Sequence, residues 1–458
     1  MFIGRANEMK ALNTALNRPG FQMAVIYGRR RIGKTTLINQ FVNASGCRNV
    51  SFVATQRDER DLLEMLGDAV LSSLAEDLQG TVHFDSFEKV FDFIARMAAR
   101  ERVIFCIDEY PYLARECRYM NSLIQEYADH AWKETQLYLI LCGSLVSFMR
   151  DEVLSENAPL HGRSTLELQV RPMGYRDAAE FVPSYSLEDK AIVYGLTSGV
   201  PKYLEQFDDA RSLDDNIVEQ FFSSGGYFSE EQIHTLVTGD RANPTAFNSI
   251  VESIATGHTK YGEISSDVGN TDIAYYLKTL VAAGLLEKRL SGGRPYYQLT
   301  DGMVEFWFKY VDRAASFINA GRGEVYYQRR VRPHLHDHMG KCFEEMARQY
   351  LFTTMGTERT PFLATEIVEY QNTFKTESGK LKQVGIDLLG RDGKKIVFAG
   401  ECKFRNQEFD EGQYKSFTDK LSYLPCTNPH VVVFSLGGFT TEVRNHDATL
   451  VNMEDMYS

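Results

Sequence analysis

The sequence predicts an α/β domain, followed by mostly helical segments and a separate C-terminal α+β domain. Three observations carry that expectation. Four short apolar runs alternate with helical patterns in the first 180 or so of the 458 residues, which is the signature of strands joined by helical crossovers. The middle of the chain switches to helical periodicity. The last third returns to strand-like runs after one amphipathic helix. The length suggests about three domains, and the pattern divides into four segments, 1–180, 181–238, 239–315 and 325–458, without an internal repeat.

Within 1–180 the runs are Gln22–Tyr27, Asn49–Ala54, Val103–Ile107 and Leu137–Cys142. Each suits a parallel strand buried on both faces. Segment 181–238 reads as polar helix broken at Ser198-Gly199-Val200-Pro201. In 239–315, Ile273, Tyr276, Leu277, Leu280 and Val281 fall at helical spacing, with Gly284 as a C-cap. Leu285–Leu290, a turn at Ser291–Arg294 and Tyr296–Leu299 follow as a hairpin. Helices plus hairpin make a winged-helix pattern. Its reading helix, about 272–283, carries Asp272 and Lys278. That is poor in the Arg, Asn and Gln that read bases, so a structural or oligomer contact competes with DNA reading. The final segment opens with a helix through Phe343-Glu344-Glu345. Strands follow around Glu366–Tyr370, Val384–Leu389, Ile396–Cys402 and His430–Phe434.

Composition narrows the class. Hydrophobic residues make up 43% and charged residues 24%, as in water-soluble globular proteins. No apolar run reaches the roughly 18 residues of a membrane span, and the opening residues lack a signal-peptide layout. Seven cysteines without a Cys-x-x-Cys pair indicate neither a zinc site nor a disulfide framework. A cytoplasmic protein without a membrane partner is expected. The net charge of −12 excludes indiscriminate nucleic-acid binding but not a local basic channel.

Gly28-Arg29-Arg30-Arg31-Ile32-Gly33-Lys34-Thr35 satisfies G-x-x-x-x-G-K-[ST], with an apolar strand before it and an amphipathic helix after it. Gly28 and Gly33 let successive backbone N–H groups face phosphate. Lys34 would reach the β- and γ-phosphates, Thr35 would ligate magnesium, and Thr36 would join the nucleotide contacts. Val103–Glu109 has the form of a Walker B segment, in which Asp108 holds magnesium and Glu109 acts as general base. Ser144, closing the strand Leu137–Cys142, is either a γ-phosphate sensor or a plain turn serine.

Phe2-Ile3-Gly4-Arg5-Ala6-Asn7-Glu8 resembles the opening of the STAND and archaeal-type AAA-like ATPases, although Ala6 stands where that opening has its first glutamate. The P-loop, Ile107-Asp108-Glu109, Leu141-Cys142-Gly143-Ser144, Pro159–Arg163 and Gly199–Leu204 are similar to that group's landmarks, in the same order. The resemblance spans roughly the first 310 residues. It implies a P-loop NTPase sheet of the ASCE type with order 5-1-4-3-2, a helical lid, ATP with Mg2+, and regulated ATP turnover. It also brings in Arg163, toward the γ-phosphate of its own or a neighbouring subunit. A surface-paired arginine is the competing reading.

Asp387 in Val384–Leu389 and Glu401-Cys402-Lys403 form a D…E-x-K arrangement that resembles the PD-(D/E)XK nuclease fold. Glu344 matches that superfamily's additional acidic position. Glu401 and Lys403 share a strand face. Glu344, Asp387 and Glu401 would supply carboxylates to magnesium, and Lys403 would orient water or stabilise developing charge. Hairpin parity constrains the site. A two-residue Asp392-Gly393 turn sets Asp387 and Glu401 on opposite faces, while a three-residue Arg391–Gly393 loop sets them together. Gln413 and Tyr414 could also touch substrate. The expected function is an ATPase switch joined to a nuclease-like effector acting on nucleic acid, DNA first, within a homo-oligomer or alone. The alternative is a scaffolding ATPase whose last domain binds without cutting.

Overall fold

The computed structural model describes residues 2–228, 243–269, 272–291, 294–375, 381–425 and 428–458. Gly292 and Gly293 of the expected turn, and the end of the 181–238 segment, lie outside the described residues. The chain divides into two compact units. The first is Met1–Met173 with Val200–Lys202 and Ala282–Gly284, and the second is the remainder.

The first unit is built on five parallel strands: β1 Gln22–Tyr27, β2 Arg48–Val53, β3 Val103–Asp108, β4 Leu137–Gly143 and β5 Leu166–Gln169. Their order is β2-β3-β4-β1-β5, which is the expected order read from the other edge. Every residue of β3 and β4 is buried, because their Val, Ile, Leu and Phe side chains meet helices on both faces. One face packs Val25, Phe105 and Leu139 against Phe91 and Trp132. The other packs Ile26, Ile104 and Ile140 against Leu37, Ile38 and Phe41 of the helix Lys34–Ser45. The strand β2 departs from the expectation of two buried faces. As the sheet's edge it alternates, with Val50 and Phe52 inside and Ser51 and Val53 outside. Helix phase supports the same core. Ser86 accepts from Lys89 N to start Phe87–Ala98. Val90, Phe91, Ile94 and Ala98 then recur on its buried face.

In the second unit, the helix Leu187–Thr197 ends where Ser198 and Gly199 both take left-handed backbone, at φ 49° and 68°. Three helices, Pro244–Ala255, Tyr261–Asp267 and Ala274–Ala282, precede an antiparallel hairpin of β6 Leu286–Ser291 and β7 Arg294–Leu299. Ile273, Leu277 and Leu280 are buried as their spacing predicts, while Val281 is exposed. The helix Gly340–Thr354 then leads into a second five-stranded sheet. Its strands are β8 Glu366–Lys375, β9 Leu381–Asp392, β10 Lys395–Lys403, β11 His430–Ser435 and β12 Thr449–Val451. They lie in the order β12-β11-β10-β9-β8. β8, β9 and β10 form an antiparallel meander. The helix Glu411–Leu421 makes the crossover to β11, which runs parallel to β10. No described helix is long and apolar enough to cross a membrane.

Candidate functional site

The loop from Gly28 to Thr35 sits at the C-terminal edge of the parallel sheet, where β1 hands over to the helix Lys34–Ser45. Its backbone leaves no room for substitution at Gly28. A Cβ there would lie 2.3 Å from the Val170 carbonyl oxygen and 2.5 Å from Ile32 Cδ1. Gly33, the helix N-cap, is left-handed at φ 82°, a conformation glycine adopts without steric cost. Arg5, only 7% exposed, braces the loop from outside by donating through Nη2 to the Ile32 carbonyl at 3.0 Å.

Lys34 Nζ donates to the carbonyls of Gly28 at 2.9 Å and Arg29 at 3.0 Å. Burial holds its pKa below the ordinary 10.5, against the pull of Cys142, Glu109 and Asp108. A desolvated ammonium held only by carbonyl dipoles is suited to an incoming polyanion. Thr35 Oγ1 donates to Asp108 Oδ2 at 2.6 Å, and Glu109 N donates to Asp108 Oδ1 at 2.8 Å. Hydroxyl and carboxylate thus meet where a magnesium ion would bridge loop and strand. Thr36 is exposed in the first turn of the helix. Glu109 is left-handed at φ 51°, a strained conformation for a non-glycine residue that surrounding structure must enforce. Its Oε2 accepts from Ser144 Oγ at 2.7 Å. Loop, Walker B acid and the end of β4 are therefore one connected site, and its donor set fits a nucleotide with a divalent cation.

Arg163 is the exception. Its Nε and Nη2 grip Asp129 at 2.8 and 2.6 Å, and its Nη1 donates to the Pro159 carbonyl. Thr165 N bonds the Met23 carbonyl near the start of β1, so Arg163 lies at the N-terminal edge of the sheet. The P-loop lies at the opposite edge. The expectation that Arg163 reaches the γ-phosphate of its own subunit is therefore corrected.

The C-terminal acidic residues also come together, by a route the parity argument did not foresee. Asp392 pairs with Lys395, so the turn is the two-residue Gly393-Lys394, which alone would have set Asp387 and Glu401 apart. A one-residue bulge at Val397 then shifts the register, so that Gly390 pairs with Phe398 and Leu388 with Gly400. One step further along that register, Asp387 faces Glu401. On the other side of β9, Ile386–Leu389 holds one residue more than the Val368–Tyr370 stretch it faces. Bulges of this kind re-aim side chains at sites. The requirement for an odd-length loop is thus replaced by an even turn plus a bulge.

Asp387 Oδ2 accepts from Cys402 N at 2.8 Å. Burial, then the charge of Glu401, raises the Asp387 pKa to about 6. Glu344, on the helix Gly340–Thr354, is raised to about 8 by burial and then by Asp387 and Glu369. Glu401 is 5% exposed and accepts from Lys403 at 2.7 Å and from Lys420 at 3.1 and 3.2 Å. Burial pulls the Lys403 pKa down, but Glu401 and Asp387 outweigh it and leave it above 10.5. Among the described residues, no group of three or more His, Cys, Asp or Glu is gathered closely enough to hold a metal ion. Gln413 is taken up in a capping box with Asp410, and Tyr414 stacks on His446 at 4.1 Å.

Two residues escaped the sequence reading. Lys420 lies three positions after the buried Phe417, so helix phase alone could have turned it to the sheet. Arg5 was visible only as part of an opening motif.

Residues 2–207 match the family described as an ATPase domain predominantly from Archaea. This stretch is similar to the ATPase domains of that family and has their P-loop sequence at Gly28–Thr35. Residues 307–414 match a family of archaeal and bacterial proteins of unknown function. An uncharacterized protein of Methanocaldococcus jannaschii is 27% identical over 472 residues, spanning 99% of this chain and 100% of its own. A shorter match at 35% identity over 51 residues joins 11% of this chain to 86% of an uncharacterized ATP-binding protein of the same organism. A Walker-type ATPase of Pyrococcus abyssi shares the fold, with a TM-score of 0.51 at 19% identity over 67% of this chain and 96% of that one. The Lys34, Thr35, Asp108 and Glu109 cluster lies within the matched stretch 2–207.

Proposed function

We propose that this P-loop ATPase is a switch coupled to a PD-(D/E)XK-type effector, which cleaves nucleic acid, DNA first, in a magnesium-dependent reaction. In the ATPase domain, Lys34 holds the β- and γ-phosphates and Gly28 and Gly33 keep the loop backbone close to them. Thr35 and Asp108 hold the cation, and Thr36 completes the phosphate contacts. Magnesium, when bound, offsets phosphate charge. Glu109 orients the attacking water and takes its proton, and Ser144 sets the position of that carboxylate. Arg163 acts on a neighbouring subunit's nucleotide, and this requires a homo-oligomer.

The observation that carries the effector reading is the Val397 bulge, whose register carried one step on sets Asp387 opposite Glu401. It lies in a helix-β8-β9-β10-helix-β11 arrangement, with Glu344 and Lys403 alongside. In this reading Glu344, Asp387 and Glu401 would hold the cation after drawing closer than they stand here, where they do not form a metal-holding group, and Lys403 would orient the water or steady developing charge. The three helices and the β6–β7 hairpin are read as a winged helix between the two activities. The test is metal-dependent cleavage of labelled DNA by wild type, Asp387→Ala, Glu401→Ala and the double variant. Each single change is expected to remove cleavage, with the double little worse, because residues acting as one unit are non-additive.

One observation favours the second reading, a scaffold that binds without cutting. Glu401 is already neutralised by Lys403 and Lys420. Unchanged nucleic-acid binding by Asp387→Ala, with no cleavage by wild type, would establish it.

A further inference from the structure

A polar cleft of about 420 Å³ opens between the β6–β7 hairpin and β8, the end strand of the C-terminal sheet. Lys341 and Lys260, the latter paired through Nζ with Glu263 Oε1 at 2.7 Å, stand in its walls, Gln371 and Gln383 supply amides, and the Tyr296 ring stands beside Glu369. The Tyr296 hydroxyl donates to Glu369 Oε2 at 3.2 Å, which fixes the ring against the sheet. Lys341 lies one helical turn before Glu344, so the two share a face. The charges of Lys341 and Glu369 both act on the Glu344 carboxyl. Of the Glu344, Asp387 and Glu401 cluster, Glu344 thus lies one helical turn from Lys341 in the cleft wall.

We infer that this cleft takes a single strand of nucleic acid and delivers its phosphodiester to that cluster, an inference that rests on the PD-(D/E)XK reading. Ammonium and amide donors are the groups that contact phosphate and sugar. An aromatic face beside them gives a base something to stack on, worth roughly 1–3 kcal/mol per base in single-strand binders. The volume falls in the roughly 300–1,000 Å³ range of small-ligand pockets, which suits one extended strand and not the full width of a duplex. An acidic peptide would find the same lysines, but it would have no use for a stacking face; Glu369 opposes either anion alike.

The test is fluorescence anisotropy of a labelled oligothymidylate about 16 nucleotides long, titrated with full-length protein in the absence of divalent metal. Lys341→Glu is expected to weaken binding at least about ten-fold, since it reverses one phosphate contact. Tyr296→Ala is expected to weaken it as well, and Tyr296→Phe, which keeps the stacking face, to restore it. A wild-type circular-dichroism spectrum and melting temperature for each variant report that the chain is folded. Unchanged affinity in both Lys341→Glu and Tyr296→Ala would overturn the inference. So would a wild type that binds only duplex, only an acidic peptide, or no single strand. Metal-free binding involves no chemistry, so absence of cleavage would sink the nuclease reading while a Lys341-dependent affinity still upheld the strand path.

Discussion

The Thr35 hydroxyl donates to Oδ2 of Asp108 at 2.6 Å, tying the P-loop to the end of β3 across 73 residues of chain. Lys34, beside them, is turned onto the Gly28 and Arg29 carbonyls. Replacing those carbonyls by phosphate gives a buried ammonium a full counter-charge. Lys34→Ala is therefore expected to lose ATP affinity by at least about ten-fold. Its metal- and nucleotide-free melting temperature should stay level or rise, because a desolvated cation is removed from the fold. Calorimetric titration with ATP and thermal melts check both halves; wild-type affinity would remove the P-loop assignment.

Glu109 and Ser144 make a second pair with separable effects. Glu109→Gln keeps a side chain able to bond Ser144 but cannot take a proton. ATP binding is expected to persist, with turnover falling about 10²–10⁴-fold. Ser144→Ala removes the 2.7 Å bond that positions the carboxylate and should change turnover more than binding. Near-normal hydrolysis by Glu109→Gln would rule Glu109 out as the base.

The acidic cluster predicts a pH dependence of opposite sign to the usual carboxylate. Glu344 rises from the ordinary 4.5 to about 8, and Asp387 from 3.8 to about 6. The folded state then holds protons that the unfolded chain has released, so metal-free stability is fullest below about pH 4 and declines as pH rises toward 8. Glu344→Gln should flatten the upper part of that slope, from 4.5 to 8, and Asp387→Asn the lower part. Melting temperature against pH in chelator checks this; a slope unchanged by Glu344→Gln would show that burial does not hold its proton.

Arg163 gives a prediction about assembly. It sits at the far edge of the sheet, paired with Asp129, so its own nucleotide is out of reach. Arg163→Ala should leave ATP affinity unchanged. If the protein works as an oligomer, turnover by the assembled form should fall while turnover by dilute monomer does not. Equal turnover at all concentrations would leave Arg163 a surface-paired residue.

Much of this was legible in the sequence, for physical reasons. Strands β1, β3 and β4 announce themselves because central parallel strands are apolar along nearly all their length, and the P-loop because glycines suit positions 28 and 33. β2 was legible as a strand but not as an edge, since edge position depends on where the rest of the chain goes. Asp387 and Glu401 were legible as residues and not as a pair. Their juxtaposition depends on the bulge at Val397, and a bulge is a compromise between neighbouring strands that leaves no periodic signature in either. Lys420 was missed for a related reason, because it joins Glu401 through the crossover helix and not through any short motif.

The measurement that bears most directly on the account is magnesium-dependent cleavage of labelled single- and double-stranded DNA, with and without ATP, by wild type, Lys34→Ala and Asp387→Ala. Wild type is expected to cleave at a rate that ATP changes, Lys34→Ala to cleave at a rate that ATP no longer affects, and Asp387→Ala not to cleave. Wild type that cuts no nucleic acid with magnesium or manganese in any nucleotide state, yet binds it as well as Asp387→Ala does, would contradict the coupling of this ATPase to a nuclease.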